Sequence, residues 1–334
     1  MEQILSIFTV RIVSGVLLAM ILFPFWRWVS LRIGVFDDPG QRKIHCSRMP
    51  LAGGVTVFFT GVILWLSWSM VGEIPPSREE WLWMMGGGIF FLIGLADDLR
   101  EMNPGLKLIL QLGAAAWTVW NFHFNFLSGE TVPEMIVSLG VTFCWFMIIL
   151  NSLNFLDNMN GLCCGLGIIL GSAFYMQGSF EEAALTSIMS EAAFFIGGLI
   201  GFLPFNYPRA RAFLGDSGSH LVGYCVGVGS IEWGNILLKG GVSVGGESVE
   251  AVNWLCGGIG LILMMGVPLY DLLTTMWIRF QAGKPLYIGD TNHISHRLVR
   301  RGWSRAAAVG LIWGTAVLTC MGGLFWFYFC RDKG

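Results

Sequence analysis

The sequence predicts an all-α, polytopic integral membrane protein with about ten transmembrane helices. Three observations predict it. Only 13% of the 334 residues are charged, 54% are hydrophobic, and the mean hydropathy is +0.65. A soluble domain carries about 25% charged residues, so an aqueous core of this length does not hide so much apolar surface. Apolar runs of spanning length recur along the whole chain, and the short polar connections between them differ in charge from one to the next. A single transmembrane domain over 1–334 is expected, with no soluble appendage, low-complexity tract or internal repeat.

A spanning helix needs roughly 20 mostly apolar residues, and ten segments qualify, at about 5–27, 51–71, 81–97, 106–127, 133–153, 161–178, 183–203, 218–238, 252–276 and 306–329. The first follows Met1-Glu2-Gln3 without a basic n-region or a small-residue cleavage site, so it is expected to stay as a spanning helix. The second opens on Leu51-Ala52-Gly53-Gly54 and the third ends on Asp97-Asp98. Lys107 opens the fourth, and the fifth ends in an amide-rich run from Asn151. Gly161 starts the sixth, and the seventh precedes a connection holding Arg209 and Arg211. The eighth follows Gly215-Asp216, the ninth contains Asp271 near its end, and the tenth follows Arg305.

The odd-numbered connections, about 28–50, 98–105, 154–160, 204–217 and 277–305, hold most of the 20 Lys and Arg residues, which places them in the cytoplasm and both termini outside. An eleventh helix would move one terminus across. The acids add separate information, because the positive-inside rule ignores them. Glutamates such as Glu73, Glu130 and Glu247 fall outside, whereas Asp37, Asp38, Asp97, Asp98, Asp157, Asp216 and Asp290 share the inner face with His45, His293 and His296. A net charge of −2 gives no sign of nucleic-acid binding. The eight cysteines have no CxxC or Cys/His spacing and read as apolar filler within spans.

Four stretches on that inner face carry chemistry. Adjacent carboxylates in Gly94-Leu-Ala-Asp97-Asp98 repel each other and oppose the helix dipole, a costly arrangement without a cation. In Asn151-Ser-Leu-Asn154-Phe-Leu-Asp157-Asn158-Met-Asn160, oxygens suited to hard cations recur at i, i+3, i+6; a polar turn with Asx caps is the simpler reading. In Phe213-Leu-Gly215-Asp216-Ser217-Gly218-Ser219-His220, Asp216 or Ser217 suits an N-cap, and the same helix start offers free N–H groups to a phosphate. The connection through Asp290, His293, His296 and Arg297 suits a loop closing over an anion, while Arg300, Arg301 and Arg305 read as an ordinary basic flank. Arg42 and Lys43 could clamp a phosphate or merely anchor topology, and Lys107 faces the same side and could meet the Asp97/Asp98 pair. His123, Glu191 and Glu232 lie toward the outer halves of spans and read as interhelical partners.

Together these motifs resemble the polyprenyl-phosphate N-acetylhexosamine-1-phosphate transferases, in family order, from about Asp37 to Arg301. The late loop is closer to the undecaprenyl-phosphate GlcNAc-1-phosphate transferases than to the phospho-MurNAc-pentapeptide translocases. The resemblance implies transfer of a sugar-1-phosphate from a UDP-N-acetylhexosamine to undecaprenyl or another polyprenyl phosphate, release of UMP, and Mg²⁺, with Mn²⁺ as a substitute. It implies an active site on the cytoplasmic face of a bacterial inner membrane, and it admits a homodimer. By motif, Asp97, Asp98 and Asp157 carry catalysis, and Asp216 with Asp157 the metal. Lys43, Lys107, Asn151, Asn154, Asp290, His293, His296 and Arg297 bind substrate. Two positions depart: Asn160 stands where many members have a second Asp, and Ser295 where many have a His. These departures bear on sugar specificity and raise an inactive membrane scaffold as the alternative. A secondary transporter fits less well, because transporters place polar groups near mid-span on broken helices.

Overall fold

Without water to bond their backbones, membrane segments close their hydrogen bonds internally, and this chain does so with helices. The computed structural model describes residues 2–37, 48–71, 75–124, 131–180, 187–239, 243–244, 247–248, 250–283 and 291–331. In chain order these residues form α1 (Glu2–Ile33), β1 (Phe36–Asp37), β2 (Met49–Pro50), α2 (Gly53–Val71), α3 (Arg78–Leu99), α4 (Pro104–Asn121), α5 (Val132–Phe155), α6 (Leu162–Phe180), α7 (Ser187–Asn206) and α8 (Gly215–Lys239). There follow β3 (Ser243–Val244), β4 (Glu247–Ser248), α9 (Glu250–Met264), α10 (Gly266–Gln281), α11 (Ile294–Arg300) and α12 (Arg305–Arg331). The strands form two minimal antiparallel pairs, β1 with β2 and β3 with β4.

A helix lies on each of the ten predicted runs, although α4 stops at Asn121, short of 127, and 125–127 and 183–186 lie outside the described residues. By length and apolarity, five described helices qualify as membrane spans, or six if the bent pair α9–α10 counts as one. The helices α4 and α8 do not qualify; they carry Lys107, Gln111, Asp216 and His220. The run predicted as one helix over 252–276 is two, bent by 76°. The physical reason is Gly266-Val-Pro268. Proline lacks the N–H that would bond the carbonyl four residues back, that of Met264. The Cys320 thiol contacts that carbonyl instead, at 3.7 Å.

The helix at the centre is α8, packed against α2, α3, α5, α6 and α9. Its N-terminal end nests where two other helices lack side chains. A Cβ on Gly94 of α3 would collide with the Asp216 carbonyl and the Ser217 nitrogen, and one on Gly54 of α2 with Ser217 and Gly218. Small residues permit this approach where lipid-like interiors give no hydrophobic drive. The strand before α2 is tied to the same place: Phe213 N–H donates to the Pro50 carbonyl at 3.0 Å, and Gly53 and Gly54 N–H donate to the Phe213 and Leu214 carbonyls at 3.0 and 2.8 Å. Residues far apart in sequence thus meet at one corner.

At the other end α1 lies along α7, and the buried Arg11 and Glu191 pair at 2.7 Å, the interhelical pairing expected for Glu191. Trp68 and Phe194 flank the guanidinium at 5.0 and 5.1 Å. Removing one member of such a buried pair costs about 3–5 kcal/mol.

Candidate active site

The helix α3 ends in two carboxylates that diverge to different partners. Asp97 accepts from the Met102 N–H at 2.7 Å and from Lys107 Nζ at 2.7 Å. Asp98 accepts from the N–H groups of Asp216 and Ser217, at 2.8 and 3.0 Å, and from the Ser217 hydroxyl at 2.6 Å. Asp98 therefore caps α8 from another helix. Gly215 makes this possible, since its φ of +79° and missing side chain clear the space Asp98 occupies. The expectation that these N–H groups would meet a phosphate is thereby corrected: at Asp216 and Ser217 they already hold a carboxylate. Each acid of the pair gains partners, which resolves the repulsion expected between neighbours.

Asp216, on the first turn of α8, binds two groups through one oxygen and has a third nearby. Its Oδ1 accepts from Asn154 Nδ2 at 2.7 Å, pairs with Lys107 Nζ at 3.0 Å and lies 3.8 Å from His220 Nδ1. Its side chain is 35% exposed, and among the described residues nothing bonds Oδ2. Behind it stands a network the sequence reading missed. His220 Nδ1 lies 2.7 Å from the Asp216 carbonyl, and His220 Nε2 lies 2.7 Å from Gln111 Nε2. A carbonyl only accepts and an amide nitrogen only donates, so His220 is neutral with its proton on Nδ1. The i, i+4 spacing of Lys107 with Gln111, and of Asp216 with His220, was the available signal.

Asp157 lies in the turn after α5 rather than on the continuing helix that the i, i+3, i+6 pattern suggested. Among the described residues no donor bonds its carboxylate. Burial, then the nearby Asp216, Asp98 and Asp37, hold its proton affinity well above the ordinary carboxylate value of 3.8. Asn151 does not join it; its amide donates to the Met147 carbonyl of its own helix at 2.9 Å.

Asp97, Asp98, Asn154, Asp157 and Asp216 line a cavity of about 970 Å³. Its acids are Asp37, Asp97, Asp98, Glu101, Asp157 and Asp216, its cationic or ionisable bases are Arg305 and His296, and Asn160 and Tyr207 close one side. Arg305, read from sequence as a basic flank, belongs to this wall, as does Glu101. Among the described residues no three carboxylate, imidazole or thiol groups form a ready cage for a cation.

The late loop splits. His296 lines the cavity. His293 is buried and bonds Asp271 Oδ2 through Nδ1 at 2.7 Å, while Asp271 Oδ1 accepts the Ile294 N–H at 2.6 Å and so caps α11. Arg297 donates to Thr274 Oγ1 at 2.9 Å and stacks over Tyr270 at 5.6 Å. Both are thus held against α10. Ser295 is buried and donates to Asn158 Oδ1 at 2.5 Å, tying α11 to the turn that carries Asp157. This position is a structural tether, not part of the cavity wall. Lys43, Asp290, Arg42, Asp38 and His45 lie outside the described residues.

A membrane-embedded helical protein with an acid-rich cavity at the helix ends is the class these observations define. Residues 81–234, the stretch from α3 to α8 that builds the carboxylate cluster, match the model of glycosyl transferase family 4. A Bacillus subtilis protein named "Probable undecaprenyl-phosphate N-acetylglucosaminyl 1-phosphate transferase" is 27% identical over 317 residues, covering 93% of this chain and 82% of its own length. The decaprenyl-phosphate N-acetylglucosaminephosphotransferase of Mycolicibacterium smegmatis is 28% identical, covering 90% of this chain and 78% of itself. A phospho-N-acetylmuramoyl-pentapeptide-transferase of Listeria welshimeri is 26% identical with 95% of both chains covered. Over residues 81–234, a little under half of its length, the chain is similar to glycosyl transferase family 4.

Proposed function

We propose that this chain transfers N-acetylglucosamine-1-phosphate from its UDP derivative to undecaprenyl or a similar polyprenyl phosphate, releasing UMP and starting a lipid-linked envelope glycan. The relatives' names support the reaction class. The observation that carries the reading is the cavity itself: six carboxylates around a space large enough for a nucleotide-sugar, at the ends of apolar helices. A lipid acceptor reaches such a place sideways from the bilayer, and a soluble donor from the water.

The reaction brings two phosphate-bearing anions together. A phosphomonoester loses its second proton near pH 6, so at neutral pH the acceptor is already largely dianionic and needs little help from a base. Charge neutralisation and alignment are what the site must supply. Hard oxygen donors in excess of nearby positive charge fit Mg²⁺, which typically takes one or two protein carboxylates and fills its shell with water and substrate phosphate. Asp157 and the unbonded oxygen of Asp216 would hold it; when bound it would supply the positive charge that offsets the phosphates. The chain's own groups set the frame. Lys107 and Asn154 fix the Asp216 carboxylate, and Asp98 locks the start of α8 that carries it. His296 and Arg305 face the donor's phosphates across the cavity, and Asn160 and Tyr207 border the sugar side. In this reading Lys107 serves the carboxylates; Lys43 remains the candidate for the lipid phosphate.

In the membrane the reading has ten crossings, the ninth broken at Met265, with the cavity on the cytoplasmic face of a bacterial inner membrane and both termini outside, as the positive-inside rule gives. The test is a transfer assay on the purified, detergent-solubilised chain with undecaprenyl phosphate, Mg²⁺ and a panel of UDP-sugars, read as UMP release and lipid-linked product. One UDP-N-acetylhexosamine should give product, and Asp157→Asn and Asp216→Asn should each lose it by at least 100-fold, on the order expected for a lost charge-stabilising group. Folded protein that yields no product from any sugar would sink the proposal.

A further inference from the structure

Two buried side chains between α4 and α8 have no part in the proposed chemistry. Gln111 is 4% exposed and His220 0%. Lys107 and Gln111 lie one turn apart on α4, and Asp216 and His220 one turn apart on α8. The two pairs face each other as rungs. Lys107 Nζ stands 3.0 Å from Asp216 Oδ1, and Gln111 Nε2 stands 2.7 Å from His220 Nε2. The α4 helix packs against α3 and α5, and these side chains carry it across to α8.

A buried amide or imidazole is costly unless paired, and the pairing here has a direction. Gln111 donates to Nε2, so the ring proton sits on Nδ1. Asn154 Nδ2 lies 3.4 Å from that nitrogen but directs its two hydrogens to Asp216 Oδ1 and Ser219 Oγ, at 2.7 and 2.8 Å. His220 Nδ1 then donates to the Asp216 carbonyl at 2.7 Å. Asp216 is thus fixed twice, its main chain by His220 and its Oδ1 by Lys107 and Asn154, and Oδ2 is the atom left over beside the cavity. We propose that Gln111 and His220 are positioning residues: Gln111 sets the tautomer of His220, and His220 sets Asp216 so that its unbonded oxygen meets a divalent cation. Without the Gln111 donor the proton can move to Nε2, which turns a bare Nδ1 on the Asp216 carbonyl. Two acceptors at that distance repel, and the first turn of α8 must shift. Groups that hold a metal ligand without touching the metal change its affinity by about 10–100-fold. The proposal rests on the cation site proposed above and gives a role to two residues that touch neither substrate nor cation.

The test is binding of Mn²⁺ alone to the purified full chain in detergent, without substrate, read from the electron paramagnetic resonance signal of the free ion. Wild type should bind and Asp216→Asn should not. Gln111→Met and His220→Leu should each bind about 10-fold more weakly or worse. His220→Asn, whose amide keeps a donor near the place of Nδ1, should recover part of the loss. Gln111→Met leaves His220 in place, so the result does not hang on whether His220→Leu folds. Nitrogen NMR of histidine-labelled protein reads the tautomer directly: the His220 signal, assigned by its loss in His220→Leu, should show the proton on Nδ1 in wild type and on Nε2 in Gln111→Met. Affinity within twofold of wild type in either Gln111→Met or His220→Leu overturns the positioning role and leaves the cation site standing. A wild type with the His220 proton on Nε2 overturns it as well. Equal binding by wild type and Asp216→Asn removes the cation site itself, and the positioning role with it.

Discussion

Replacing Lys107 by Met keeps the aliphatic stem and removes one charge from the middle of the carboxylate cluster. Lys107 Nζ lies 2.7 Å from Asp97 and 3.0 Å from Asp216, and its side chain is 18% exposed. At an effective dielectric of 20, each contact is worth about 5–6 kcal/mol of gross attraction. Desolvation cancels most of that, and the measured cost of removing one member of a buried pair is about 3–5 kcal/mol. Asp216 is only part-buried, so a loss near 3 kcal/mol is expected, or roughly 5 °C or more in the unfolding midpoint. The assay is thermal unfolding of the purified chain in detergent at neutral pH, with EDTA and again with millimolar Mg²⁺. The gap between wild type and Lys107→Met should be wide in EDTA and narrow in Mg²⁺, because a bound cation takes over the missing positive charge. Equal midpoints in EDTA, or a gap indifferent to Mg²⁺, would refute the claim that Lys107 compensates this cluster.

Other outcomes follow from the same geometry. Asp98→Asn removes the charge from a group that accepts three hydrogen bonds at the start of α8; a loss of about 1–3 kcal/mol in unfolding and of transfer activity is expected. Gly94→Ala places a methyl group against the backbone of Asp216 and Ser217, whereas Gly113→Ala meets open space; the first should fail to yield active protein and the second should match wild type in yield and activity. Asp157 binds its proton more tightly in the folded chain than in the unfolded one, so the native state holds more protons and stability falls as pH rises from about 4 through the raised value. Asp157→Asn should flatten that slope in EDTA, which unfolding midpoints against pH will show. Asp271→Asn should lower transfer activity more than the unfolding midpoint, because the carboxylate sets His293 and caps α11 at once; an activity loss no larger than the stability loss predicts would argue against that role.

What the sequence determined by itself is the solvent and the chemistry. Composition and run length required helices in a bilayer, because an apolar run of roughly 20 residues spans it as a helix that closes its own backbone hydrogen bonds. The clustering of Asp97, Asp98, Asp157 and Asp216 at the ends of runs that share one side pointed to the candidate site, since acids are costly to collect at a membrane. The broken ninth run was legible in Gly266-Val-Pro268 but was masked by the unbroken hydrophobicity around it.

Only the tertiary structure decided which partner each acid has. Local spacing describes neighbours on one helix, and the decisive contacts here span from 62 to 137 residues. Asp98 turned out to cap α8, whereas no donor among the described residues bonds the Asp157 carboxylate. Asn151 and Asn154 differ by three positions, yet one bonds its own helix and the other the Asp216 carboxylate. Arg305 joined the cavity wall because α12 returns beside the turn after α5, and Ser295 became a buried tether because α11 packs over Asn158. A side chain's partners depend on which faces meet, and in a chain of apolar helices that is settled by where small residues such as Gly54 and Gly94 let the backbones approach.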